Sequence, residues 1–209
     1  MVATDGSRLA CYHRNLDLKD QMKGQDPSEV IVPPQSLNQL VKLMAKQQEI
    51  EHVTLDNSQV LFDMGETRLV TRLIEGPYVD YTQVIPTDNN KDLQISNEHL
   101  LAAVRRVSIL SSSYTRQVRM RLTTGSVELS ASSQELGGDA HEQLTASYQD
   151  EEMEIGYNST YLLEILRKID STELHFALDN PVTAALLRPV DLGPDEDYFC
   201  LLMPLRPSG

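Results

Sequence analysis

The chain has 209 residues, of which 40% are hydrophobic and 23% charged. That balance is globular rather than disordered, and the length allows one large domain or two modest ones with a sizeable core. A formal net charge of −13 excludes a surface that coats nucleic acid indiscriminately, while leaving room for a localised basic channel.

At the N-terminus, Val2-Ala3 lead into the tight-turn dipeptide Asp5-Gly6, and Arg8 to Tyr12 continue as a strand. Met1 to Ala10 carry no apolar signal region, and apolar runs such as Phe199 to Met203 are far too short to span a bilayer. The expected location is therefore the cytoplasm, with no membrane partner. Cys11 and Cys200 sit singly in strand-like stretches and are expected to be buried thiols. Asn15 to Gln25 is polar, a loop or an irregular strand. Val30 to Val32 is strand-like, and Pro33-Pro34 opens a helix where prolines are tolerated.

That helix runs from Pro34 through Lys46. After it, His52 to Leu55, Gln59 to Met64 and Arg68 to Ile74 form a meander turned at Asp56-Asn57-Ser58 and Gly65-Glu66. Glu75-Gly76-Pro77 is strong punctuation, and the segment to Pro86 has the character of a linker. The order then repeats. A short strand at Asp92 to Ile95 precedes a helix from Ser96 to about Leu110. Strands follow at Gln117 to Thr123, Ser126 to Ala131 and Gln143 to Tyr148. A third round opens with Glu154 to Tyr157 and a helix from Asn158 to Ile169, and closes with Leu174 to Leu178, Thr183 to Leu187 and Phe199 to Met203. Each round is a βαβββ unit, which makes the fold class α+β, with helices on one face of antiparallel sheets.

The three helices share more than their order. Each begins at a small polar residue able to accept from the free N–H groups of the first turn: Ser36, Ser96 and Asn158. Each carries an apolar stripe: Leu37, Leu40, Val41, Met44; then Leu100, Val104, Val107; then Leu162, Leu166, Ile169. Leu37, Leu100 and Leu162 are spaced by 63 and 62 residues, so the register repeats. On the far side of each stripe lie basic residues: Lys42 and Lys46, Arg105 and Arg106, Arg167 and Lys168. One such helix is an ordinary solvated exterior. Three in register, in so acidic a chain, indicate a surface built to meet a polyanion.

Catalysis finds little support. The histidines at 13, 52, 99, 141 and 175 show no metal spacing, and Asp150-Glu151-Glu152 and Asp195-Glu196-Asp197 are carboxylate runs in polar stretches. No phosphate-cradling glycine loop or nucleophile elbow is present. No cofactor or metal is expected, and a hydrolase using the acidic runs is the remote rival.

Several stretches resemble the bacterial DNA polymerase III beta subunit, the sliding clamp. They are Val2-Ala-Thr-Asp-Gly-Ser-Arg-Leu-Ala10, the linker from Arg72-Leu-Ile-Glu-Gly76 through Asp80-Tyr81 to Val84-Ile85-Pro86, Glu152-Met-Glu-Ile-Gly-Tyr-Asn158, and Leu202-Met-Pro-Leu-Arg206. In that family a domain is a pair of βαβββ units, three domains make a subunit, and two subunits close a ring with helices lining the hole. The resemblance implies a partial middle domain over residues 1–81 and a C-terminal domain over residues 82–209. It further implies that the six basic residues face double-stranded DNA without reading its sequence. The partners it implies are a DNA polymerase and a clamp loader, bound through short peptide motifs, and further copies of the chain in a homo-oligomer.

The same resemblance assigns a peptide groove to Thr4, Gly6, Arg8 and Leu9, to Val79, Gln83 and Val84, and to Leu201, Met203, Pro204, Leu205 and Arg206. It assigns a subunit contact to Ile109 and Leu110. Ser7 stands where the family commonly has His, Val79 where Pro is usual, and Gln83 where Arg is usual. The alternative is a short clamp form that binds partner peptides without encircling DNA.

Overall fold

A computed structural model of the chain describes residues 1–15, 29–45 and 49–206. The strands and helices, in chain order, are β1 (Val2–Thr4), β2 (Arg8–Arg14), α1 (Pro34–Met44), β3 (His52–Leu55), β4 (Gln59–Asp63), β5 (Arg68–Arg72), β6 (Lys91–Ser96), α2 (Asn97–Val107), β7 (Gln117–Thr123), β8 (Ser126–Ser133), β9 (Gly138–Thr145), β10 (Met153–Asn158), α3 (Ser159–Leu166), β11 (Glu173–Leu178), β12 (Ala185–Pro189) and β13 (Glu196–Leu202). Short 3-10 turns cover Tyr81–Val84 and Ser108–Leu110. The third helix-bearing unit therefore follows the expected order. In the second, the last strand starts earlier than the expected Gln143, because the turn at Gly137, with φ +65, reverses the chain directly into β9. Most of the expected loop from Asn15 to Gln25, and Lys46, lie outside the described residues.

Packing divides the chain into two compact units, Met1–Leu16 with Thr82–Gly209, and Asp17–Tyr81. The first strands join the later unit because β2 pairs with β13 over seven residues, from Glu196↔Arg14 to Leu202↔Arg8. In that unit every pairing is antiparallel. One sheet has the order β1-β2-β13-β12-β11-β6 and the other β10-β7-β8-β9. The two βαβββ modules exchange their first strands, β6 pairing with β11 and β10 with β7. Alternation along these strands sends Leu93 and Ile95, Val118, Met120 and Leu122, and Leu174 and Phe176 into one core with Leu100, Val104, Leu162 and Leu166 of the helices. Each such side chain contributes roughly 1.5–3 kcal/mol on leaving water.

Asp17–Tyr81 is a smaller unit, in which β3-β4-β5 form a three-stranded sheet. Its core is Leu40, Val60, Phe62 and Met64, with Val32, Leu43, Ile50, Leu69 and Leu73 packed against it. Two expectations for α1 are corrected here. Val41 and Met44 do not belong to its buried stripe: both are exposed, and Leu43 packs instead. Ser36 does not cap the helix. The cap position is Pro33, without a side-chain hydrogen bond, and Ser36 Oγ lies 2.6 Å from Thr71 Oγ1 on β5. With Pro34 at the first helical position one of the orphan donors is already absent, so a cap there has less to satisfy. The other two caps form: Ser96 accepts from His99 N at 3.4 Å, and Asn158 from Thr160 N at 2.9 Å and Tyr161 N at 3.4 Å.

A repeated detail ties the modules together. Outside the ladders, the described residues form three isolated bridges, Ile31↔Ile74, Gln94↔Ser147 and Gly156↔Leu205. Each joins a module's opening segment to a residue two or three positions past its closing strand. Ile31, Gln94 and Gly156 are again spaced by 63 and 62 residues. The helix register and the backbone register are one repeat.

Candidate functional site

The β1–β2 hairpin is held by its own short side chains. Thr4 Oγ1 donates to Arg8 O at 2.8 Å and accepts from Gly6 N at 3.1 Å, while Asp5 Oδ1 accepts from Ser7 N and Arg8 N at 3.0 and 3.1 Å. Gly6 has φ +87, a conformation that a side chain disfavours. Burial raises the Asp5 pKa, but the hydrogen bonds from Ser7 and Arg8 outweigh it and hold the carboxyl below its ordinary value.

Arg8 points toward α3. Its guanidinium pairs with Asp5 at 3.0 Å and Glu164 at 2.7 Å and lies 4.5 Å from the centre of the Tyr161 ring. Burial lowers its pKa, and the bonds to Glu164 and Asp5 more than compensate, so it sits above the usual value. A groove of about 550 Å³ opens beside it. Thr4, Arg8 and Ala10 come from the hairpin, Glu164, Ile165, Arg167 and Lys168 from the end of α3, and Tyr198 and Cys200 from β13. Its walls are largely apolar and its rim is charged, a combination suited to a peptide with apolar anchors. Sequence reasoning missed the contribution of α3 here. No local signal marks Tyr161 or Glu164, because only the fold brings them to the hairpin.

Of the residues expected in the groove, the structure brings together those from the two ends of the chain. Leu9 pairs with Leu201 and Arg8 with Leu202, and Met203 N donates to Ser7 O at 2.9 Å. Leu205 N donates to Gly156 O at 2.8 Å. Leu9 and Leu201 are buried, Pro204 and Leu205 half-buried, and Met203 and Arg206 exposed. Val84 is exposed at the end of the 3-10 turn, where Gln83 is also exposed. Val79 is exposed within the other unit.

The basic residues separate into two kinds. Lys42, Arg105, Arg167 and Lys168 are exposed and form no ion pair with a described residue. Arg106 does not belong with them. Its Nε donates to Glu142 Oε2 on β9 at 3.0 Å, and a second nitrogen grips the other carboxylate oxygen. Glu142 is held below its usual pKa chiefly by that hydrogen bond. The buried carboxamide of Asn97 donates to Ile169 O at 2.9 Å and Leu166 O at 3.3 Å, which sets the start of α2 against the end of α3. The helices thus run antiparallel, with Arg105 at one end of the pair and Arg167 and Lys168 at the other. Arg116 joins Arg105's end, its guanidinium 3.2 Å from Thr160 Oγ1 in the first turn of α3. Sequence reasoning missed it, since it lies outside the repeating helix register.

Ile109 is exposed in the 3-10 turn after α2, and Leu110 lies against Gly138, the first residue of β9. No described strand pairs with the outer edge of β9. The acidic runs serve strand ends: Asp150 accepts from Asp92 N at 3.0 Å, Asp197 pairs with Arg188, and Glu196 meets Tyr12 and Arg14. Cys200 is buried, but Cys11 is only half-buried, because it lies on β2 beside the edge strand β1. No described helix is long and apolar enough to cross a membrane.

Comparison with known proteins agrees with this geometry. Residues 82–206 match the family described as DNA polymerase III beta subunit, C-terminal domain, and residues 1–80 match its central domain. The beta sliding clamp of Pseudomonas aeruginosa is 30% identical over 205 residues, covering 98% of this chain and 54% of the relative. That of Caulobacter vibrioides is 32% identical over 206 residues, covering 98% and 53%. A crystal structure of the Pseudomonas aeruginosa clamp bound to griselimycin superposes with a TM-score of 0.87 at 31% identity, covering 98% of this chain and 53% of that one. The chain spans about half the length of the curated relatives it matches. With repeat, strand exchange and residue matches in accord along its length, the chain belongs to the DNA polymerase III beta subunit family.

Proposed function

We propose that the chain acts as part of a sliding clamp, a non-catalytic cytoplasmic processivity factor that encircles duplex DNA and tethers a polymerase and a clamp loader. The observation that carries this reading is a set of exposed cations with no ion partner among the described residues, Lys42, Arg105 and Arg167 at corresponding positions of the repeat and Lys168 next to Arg167, in a chain with net charge −13. Such contacts reach phosphates and ignore bases, and a ring needs no more than that, because topology rather than affinity retains it. On this reading residues 1–81 and 82–209 are successive clamp domains, and Ile109 with Leu110 beside the open edge of β9 forms a contact between copies. The hairpin and the final residues, Thr4, Gly6, Leu9, Leu201, Met203 and Leu205, take partner peptides together with Gln83 and Val84. The test is retention on nicked circular DNA after loading. A clamp is retained on circles and lost when they are linearised; equal retention on both removes the reading.

A second reading is favoured by one observation. The groove at Arg8 is lined wholly by residues of one unit, so peptide capture does not depend on ring closure. A chain that binds partner peptides with unchanged affinity but is never retained on circular DNA is a peptide-binding form of the clamp.

A further inference from the structure

A single row of residues crosses the β10-β7-β8-β9 sheet from the chain's closing segment. Leu205 bridges to Gly156, Gly156 pairs with Arg119, Arg119 with Ser130, and Ser130 with His141. Residues directly opposite in antiparallel strands share a face. Here it is the face turned away from the helices, since the neighbours Val118, Met120 and Leu129 are buried in the core. Gly156 makes a low crossing point in the row. The side-chain amide of Gln117 fills the space that a Cβ at Gly156 would need.

Beyond Gly156 the face sinks into a polar cavity of about 570 Å³, floored by Arg119, Ser130, Ser132 and His141. The loop at residues 112–115 forms one wall and Gln134-Glu135 another, and Ser113 Oγ ties them by donating to Glu135 Oε1 at 3.0 Å. The charges are unevenly placed. Arg119, one strand from Gly156, is half exposed, and its ion contact among the described residues is Glu154 at 3.9 Å. Carboxylates gather on the far side: Glu135, and Asp139 on β9, which shares the His141 ring with Glu128 at 3.1 and 3.2 Å. Hydroxyl-lined and charged oppositely at its two ends, the cavity suits a dipolar chain rather than an apolar anchor.

We propose that this cavity is a second subsite for the partner chain whose apolar anchors rest at Met203 and Leu205. The flanking segment of that peptide crosses Gly156 along the row, setting an acidic residue at Arg119 and a basic residue at Glu135 and Asp139. The inference rests on the peptide-binding reading of the clamp and adds a charge order to it. With strands about 4.8 Å apart, the backbone of Arg119 lies about 10 Å from Leu205 and that of β9 about 19 Å. An extended chain at about 3.3 Å per residue reaches them about three and six residues beyond its anchor. The Gln117 amide stands at the crossing, where it donates to a passing carbonyl.

The test uses the full 209-residue chain and fluorescein-labelled peptides with a leucine–phenylalanine anchor. A serine–glycine extension carries aspartate about three and lysine about six residues from the anchor, or the two exchanged, and is placed at either end of the anchor in turn. Composition and net charge are identical within a pair, so anchoring and long-range attraction cancel. At low salt, one attachment end is expected to bind about fivefold tighter with aspartate nearer the anchor, within the reach of exposed ion pairs, and high salt closes the gap. Arg119→Glu inverts the preference and Arg119→Gln shrinks it, while the anchor-only peptide binds both variants as it binds the parent chain. Equal affinities for both orders at both ends overturn the proposal. So does a preference for the exchanged order, or one that both Arg119 variants leave intact. Met203→Asp is expected to weaken every peptide alike. An anchor-only peptide that fails to bind, or that ignores Met203→Asp, overturns the groove reading and this extension with it.

Discussion

Leu9 and Leu201 face each other across adjacent strands, one nine residues from the start of the chain and the other in its last strand. The pairing lays the hairpin along β13, so that Arg8, Leu9 and Ala10 line the candidate groove beside Tyr198 and Cys200. Both leucines are buried. Truncating either to alanine is expected to cost about 2–5 kcal/mol, as for other buried leucines, measured by urea denaturation of the whole chain.

Met203 is exposed, and its backbone, not its side chain, ties it to Ser7. Met203→Asp is therefore expected to leave the melting temperature within a degree or two while weakening the binding of a clamp-partner peptide about tenfold or more. Fluorescence anisotropy with a labelled peptide reads the loss. Retained affinity would place the apolar anchor elsewhere along the groove.

Charge reversal at Arg105, Arg167 and Lys168 tests the cationic helix surface. Each phosphate contact removed is expected to lower the slope of log affinity against log salt by about 0.9. Arg106→Glu is expected to behave differently, because Arg106 is already committed to Glu142. It loses an ion pair within the fold and sets like charges together, while the DNA salt slope changes less than for Arg105→Glu.

The three helix starts separate prediction by sequence from prediction by structure. Asn158→Ala removes an acceptor for two backbone N–H groups and is expected to cost about 1 kcal/mol, with Ser96→Ala at or below that. Ser36→Ala removes no cap, so any loss comes from its contact with Thr71 on β5. Differential scanning calorimetry of the three alanine variants ranks them.

Acid stability carries the signature of Asp5. Its folded pKa lies below the ordinary 3.8, so its contribution is fully present above that value and fades as pH falls through the lower folded one. Asp5→Asn is expected to flatten that limb of the stability curve and leave neutral pH behaviour otherwise similar in shape. The effect is small, because the side chain is 44% exposed.

Much of this architecture is legible in the amino-acid order, and the physical reason is periodicity. Leu100, Val104 and Val107 are buried as their spacing requires, and the turn at Asp5-Gly6 forms where a positive φ demands glycine. The failures are equally physical. Val41 and Met44 keep helical spacing yet stay exposed, because an amphipathic stripe states which face wants cover and not whether cover is present. Arg106 has the right helix position but finds Glu142 across from it on β9, a contact set by tertiary packing. Tyr161 and Glu164 beside Arg8, and Arg116 beside Thr160, depend on residues more than forty positions distant.

The seven-residue ladder between β2 and β13 makes the leading strand a guest in a sheet built by the far end of the polypeptide. Severing the backbone between the two compact units should leave that strand seated without a covalent tether. A synthetic peptide of the opening fifteen residues, added to a chain beginning at Thr82, should then dock and restore the groove. The arrangement is a natural substrate for fragment complementation.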